Sequence, residues 1–121
     1  MSDLSVVLEV TQARIDAYGR ANGDAERMHY DADAARALGF RGTIAHGTML
    51  VAPLVDLALR RHGPAFLSQG RLAIQWRSPV CAGDVQVATL AEDGRLEAVN
   101  DLQPGRPVTI RGEVSCGRGS E

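Results

Sequence analysis

The stretch His46–Arg61, HGTMLVAPLVDLALRR, decides how this chain folds. Leu50, Leu54, Leu57 and Arg61 recur at helical spacing, while Met49, Pro53, Val55-Asp56 and Leu59 break any strand alternation. The spacing predicts a helix over Gly47–Arg61. Arg60, Arg61 and His62 suit its C-terminal end, and Gly63-Pro64 is expected to stop it. Apolar residues fill nearly every position from Met49 to Leu59 apart from Asp56. A helix apolar all round is expected to be buried all round.

Downstream the period changes from helical to alternating. Arg71–Arg77 sets Leu72, Ile74 and Trp76 on one face and Arg71, Gln75 and Arg77 mostly on the other. Val85–Ala91, Arg95–Asn100 and Val108–Val114 read as three further strands, with a hairpin turn at Glu92-Asp93-Gly94-Arg95. Upstream, Ser5–Val10 is a first strand. Thr11 caps a short helix, Gln12–Arg20, that stops near Gly19 or Asn22-Gly23. Asp31 or Asp33 caps a second, Ala34–Leu38, which Gly39 ends. Consecutive strands joined by short turns make an antiparallel sheet, and a helix apolar on every side must be wrapped by it. The expected class is α+β: an antiparallel β-sheet wrapped around one long central α-helix, the hotdog fold.

A chain of 121 residues is one domain, able to bury roughly two thirds of its unfolded surface. We assign residues 1–116 to that single domain and 117–121 to a flexible C-terminal tail. The net charge of −2 gives no reason to expect nucleic acid or an anionic membrane as partner. All 13 basic residues are arginine. This excludes a lysine Schiff base and the phosphate-binding lysine of a P-loop. The first ten residues have neither the basic region nor the apolar length of a signal peptide, and no apolar run reaches membrane-span length. Cys81 and Cys116 read as reduced thiols, so the expected location is cytoplasmic. Three histidines without HxH or HExxH spacing argue against a metal site.

The chemistry concentrates in Ala21–Leu50, ANGDAERMHYDADAARALGFRGTIAHGTML. Asp24 and His29 stand five residues apart in polar, Gly-containing sequence, where a carboxylate and an imidazole can hold one water and exchange protons with it. The free N–H groups at the start of the predicted helix can polarise a carbonyl oxygen. Taken singly, Asp24 is a turn residue, His29 a packing histidine and His46 a cap that orients the helix.

Asn22-Gly23-Asp24, His29, Ala34-Ala35, Gly39-Phe40 and Ile44-Ala45-His46-Gly47 form one block, and Gln75-Trp76-Arg77-Ser78-Pro79-Val80 through Gly83-Asp84 a second. Together they resemble the MaoC-like, (R)-specific enoyl-CoA hydratase branch of the hotdog superfamily, over nearly the whole chain. Glu26-Arg27 depart from the pattern, standing where that family has Asn-Pro, and Trp76 stands where Phe is common.

The resemblance implies a hydratase or dehydratase that adds or removes water at the C2–C3 bond of an acyl thioester. Asp24 and His29 would be the catalytic pair. His46, Gly47 and Thr48 would be the oxyanion or substrate-binding residues, Gly47 through its backbone N–H. Arg27 and Arg41 are candidate contacts to the phosphates of the carrier, which is coenzyme A or an acyl carrier protein. No metal or other cofactor is expected. A homodimer, or a dimer of such dimers, is implied, with sites between subunits. A hotdog acyl-thioesterase and a catalytically degenerate acyl-binding partner subunit are the rival readings.

Overall fold

In the computed structural model, which describes residues 3–117, strand β1 (Leu4–Glu9) leads into helix α1 (Gln12–Asn22), a 3-10 turn (Arg27–His29) and the short helix α2 (Ala32–Ala37). A second 3-10 turn (Thr48–Val51) runs into α3 (Ala52–His62). Gly63–Ala65 and the one-turn α4 (Phe66–Gln69) then carry the chain to β2 (Gly70–Trp76), β3 (Val85–Leu90), β4 (Arg95–Asn100) and β5 (Val108–Cys116). The expected C-terminal tail lies almost entirely outside the described residues.

Local chemistry accounts for the element ends. Thr11 Oγ1 accepts from Arg14 N–H at 3.1 Å and so satisfies an orphan donor of α1. Gly23, at φ 72°, ends that helix in the left-handed conformation that glycine adopts without strain. Asp31, not Asp33, caps α2, accepting from Asp33 N–H at 2.9 Å and Ala34 N–H at 3.3 Å.

The five strands form one antiparallel sheet in the order β1-β3-β4-β5-β2. Register places Ala88 opposite Ala98 and Leu90 opposite Leu96, all four buried. Those side chains, with Ile110 and Val114, make the core face against Leu54, Leu57 and Ala58 of α3 and Ile15 of α1. The small Ala88–Ala98 pair lets the central helix approach the sheet closely. The architecture is the hotdog arrangement, a sheet curled round one principal helix.

The structure corrects two expectations about that helix. It begins as a 3-10 turn, with Met49 N–H bonded to His46 O and Leu50 N–H to Gly47 O, both at 3.1 Å. The α register starts only at Ala52, with Pro53 in its first turn, where a missing N–H costs nothing. The helix itself ends at His62 with Gly63 as its cap, as the sequence predicts. Gly63, at φ 70° and ψ −167°, breaks the α register, but Pro64 opens a new turn that continues to Gln69.

The helix is also not buried all round. Leu54, Leu57 and Ala58 are buried, but Val51, Val55 and Leu59 are half-buried and Ala52 is exposed. Asp56 is on the open side and pairs with Arg60 one turn on at 2.8 Å. Among the described residues no helix is long and apolar enough to cross a membrane.

Candidate active site

The turn after α1 is held by its backbone before any side chain acts. Asp24 N–H bonds back to Gly19 O at 3.1 Å, and Asp24 Oδ1 accepts from Glu26 N–H at 3.1 Å. Tyr30 folds over the turn and its hydroxyl donates to the Asp24 carbonyl. Gly19 makes room for it, since a Cβ there would collide with the Tyr30 hydroxyl. The Glu26 N–H is the largest influence holding the Asp24 carboxyl below its ordinary 3.8, followed by the hydrogen bond from His46. Burial, and then the Asp24 charge, push the Tyr30 phenol upward.

His29 closes the 3-10 turn and is buried. Its Nδ1 lies 2.8 Å from Ile44 O, so this nitrogen carries the hydrogen, because a carbonyl only accepts. The ring therefore presents Nε2 toward Asp24, 3.4 Å from Oδ2. Gln12 fastens the turn to α1: its Nε2 donates to His29 O at 2.8 Å, and its Oε1 accepts from Thr43 at 2.6 Å.

His46 joins the same cluster from the other side. Its ring is buried, stacked on that of His29 with centroids 3.9 Å apart. Nδ1 lies 3.0 Å from Asp24 Oδ2 and Nε2 lies 3.0 Å from Ile15 O in α1. Its side chain thus bonds Asp24 and α1 and makes no capping hydrogen bond to the helix start. The three groups come within 4.8 Å of one another, a separation that a metal ion could also bridge. The 3.0 Å contact is a hydrogen bond, and we read the cluster as a proton network.

Gly47 and Thr48 follow directly and are exposed. Among the hydrogen bonds of the described residues, neither backbone N–H has an acceptor. Gly47 has ordinary helical angles, φ −55° and ψ −47°, so glycine is not required there for conformation. Its lack of a side chain keeps open the space beneath Trp76, whose indole would lie 3.4 Å from a Cβ. Trp76 Nε1 donates to Gly47 O at 3.2 Å, and the Tyr18 hydroxyl donates to Thr48 Oγ1 at 2.6 Å.

Arg27 and Arg41 each make an ion pair within the chain. Arg27 pairs with Asp31 at 2.6 Å, on the rim beside Asp24. Arg41 is held by the buried Asp84 at 2.7 Å, and the same carboxylate oxygen accepts from Cys81 N–H. Arg41 thereby pins the turn before β3, and Asp84 is more than a turn residue. Gln12, Tyr18 and Tyr30 also hold the site, and no sequence motif marks them. Gln12 and Tyr18 flank Ile15 at helical spacing on the inward side of α1, and that was the one available signal.

A curled antiparallel sheet around one helix, with a carboxylate and two imidazoles clustered beside that helix's N-terminus, defines a hotdog-fold protein. The family described as MaoC like domain matches residues 2–106. The chain belongs to that family. It is 35% identical over 72 residues to a mitochondrial 3-hydroxyacyl-[acyl-carrier-protein] dehydratase of Arabidopsis thaliana, an alignment covering 58% of this chain and 41% of that protein. The match thus spans well under half of that relative's length.

Among solved structures, the unliganded R-hydratase PhaJ1 of Pseudomonas aeruginosa superposes with a TM-score of 0.71 at 19% identity, over 93% of this chain and 76% of that one. An (R)-hydratase of A. caviae involved in PHA biosynthesis gives 0.66 at 23% identity, over 95% and 94%. A chain of the ChsH1–ChsH2 complex of Mycobacterium tuberculosis gives 0.70 at 19% identity, over 96% of each. At these identities the three show the shared fold.

Proposed function

We propose that this protein is a hydratase or dehydratase acting at the C2–C3 bond of an acyl thioester carried on coenzyme A or an acyl carrier protein. Family membership supports the reaction class. The observation that carries the reading is the approach of His29 Nε2 to Asp24 Oδ2, with the opposite nitrogen of His29 tied to a backbone carbonyl. A water lying beside the pair, within hydrogen-bond reach of both groups, would be oriented by both.

In the hydration direction an O–H bond of that water breaks and its proton passes to the pair. The oxygen bonds to C3, the C2–C3 π electrons move toward the thioester, and the pair then returns a proton to C2, so that one water is added in all. The charge that gathers on the thioester oxygen would be met by the unpartnered N–H groups of Gly47 and Thr48. Removing one such donor typically costs about 3–4 kcal/mol of barrier. Trp76, bonded to Gly47 O, would hold that peptide in place and line the acyl pocket.

The reading needs no cofactor. Exhaustive treatment with a chelator should leave turnover unchanged, and loss of activity restored by one divalent metal would contradict it.

A panel of enoyl thioesters of increasing length tests the function, following enoyl absorbance and free thiol together. Loss of enoyl absorbance without thiol release is the expected result. Thiol release without an absorbance change would identify a thioesterase instead.

A further inference from the structure

Both ring nitrogens of His46 face acceptors. Nε2 meets the Ile15 carbonyl, which has no proton to give, so Nε2 carries hydrogen. Nδ1 meets Asp24 Oδ2 at hydrogen-bond distance, so one proton must lie between them. Asp24 also accepts from Glu26 N–H through its other oxygen, which favours the carboxylate form. The proton therefore belongs to Nδ1, and His46 is doubly protonated. Two rings stacked at 3.9 Å do not readily both carry positive charge, so His29 keeps a bare lone pair on Nε2.

We infer that His46 is a positioning residue whose Asp24-bound proton keeps that carboxylate ionised and aimed, leaving His29 Nε2 as the group that takes the proton from water. The kinetic part of this inference rests on the hydratase reading; the placement of protons does not. The titratable groups around His46 are Asp24 and His29 from the turn, Tyr18 from α1 with centroids 5.1 Å away, and Tyr30 at 6.1 Å. Asp16 and Arg20 lie farther out, beside Tyr30.

Nitrogen-15 NMR of the wild-type protein reads the ring nitrogens directly. The chain has three histidines, so single substitutions assign the signals. We expect two protonated nitrogens on His46 and one, Nδ1, on His29. A singly protonated His46 would overturn the inference whether or not the protein hydrates anything.

Kinetics supply the second arm. His46→Asn keeps an N–H where Nδ1 stood, whereas His46→Gln reaches Ile15 but loses the donor to Asp24. The Gln variant should lose roughly tenfold or more in kcat, part of the 10²–10⁴ a positioned acid–base pair supplies. Its acid limb in the kcat/KM profile should move to higher pH as Asp24 loses a hydrogen bond, and the Asn variant should recover part of both effects. Equal profiles for wild type and Gln, or a Gln variant better than Asn, would contradict a positioning role. A wild type inert toward every enoyl thioester, yet with His46 doubly protonated, would count against the hydratase reading alone.

Discussion

At Asp24 a single carboxylate is claimed from three directions. The Glu26 N–H holds one oxygen; His46 and His29 approach the other at 3.0 and 3.4 Å. The residue that replaces the family's asparagine thus contributes through its backbone, and any residue other than proline at position 26 can do the same. Substituting Asp24→Asn or His29→Gln should lower hydration by about 10²–10⁴ while leaving the circular dichroism spectrum unchanged. Because native Asp24 is held below 3.8, the stability it contributes is present above that value and lost as pH falls through its lowered folded value. Acid unfolding of Asp24→Asn should therefore be less steep than that of the wild type in this range, as monitored by Trp76 fluorescence.

The Asp24–His29 pair was legible because one turn holds both residues. The place of His46 was not. It lies 22 residues from Asp24, and its other partner is a backbone carbonyl, which no residue type announces.

At the scale of elements, α1 and the turn after it act as one unit. Gly19→Ala would drive a methyl group into the Tyr30 hydroxyl and lift that ring off the turn. Turnover should fall with little change in substrate KM, since the turn that carries Asp24 and His29 moves and the helix start does not. An unchanged kcat would show that Tyr30 does not hold the turn.

The apolar pattern of Met49–Leu59 revealed the central helix. It did not reveal the delayed α register, which follows from Pro53, or the open flank, because an apolar residue on that flank looks the same in sequence as one facing the core. Leu54, fully buried, belongs to the side that does meet the sheet. Leu54→Ala should cost about 2–5 kcal/mol in a urea unfolding experiment. A loss below 1 kcal/mol, on that same scale, would mean that the helix is not packed as described.

For the whole molecule, β1 and β2 are the two edges of the sheet, unpaired on their outer sides among the described residues, and Trp76 at the end of β2 is 51% exposed. An unpaired edge is a template for another strand, and the half-buried flank of α3 leaves apolar surface uncovered. We therefore propose a homodimer, with the acyl pocket completed between subunits. Sedimentation should give twice the chain mass at micromolar concentration, whereas a monomer that is fully active would contradict a shared site.

The central claim is that Asp24 and His29 act together on one water. Its most direct test is the hydration rate of a short enoyl-coenzyme A thioester, measured for the wild type, Asp24→Asn, His29→Gln and the double variant. The account predicts that either single substitution removes nearly all of the activity and that the double variant is no worse than the singles. Wild-type rates in the single variants, or losses that simply multiply in the double variant, would contradict it.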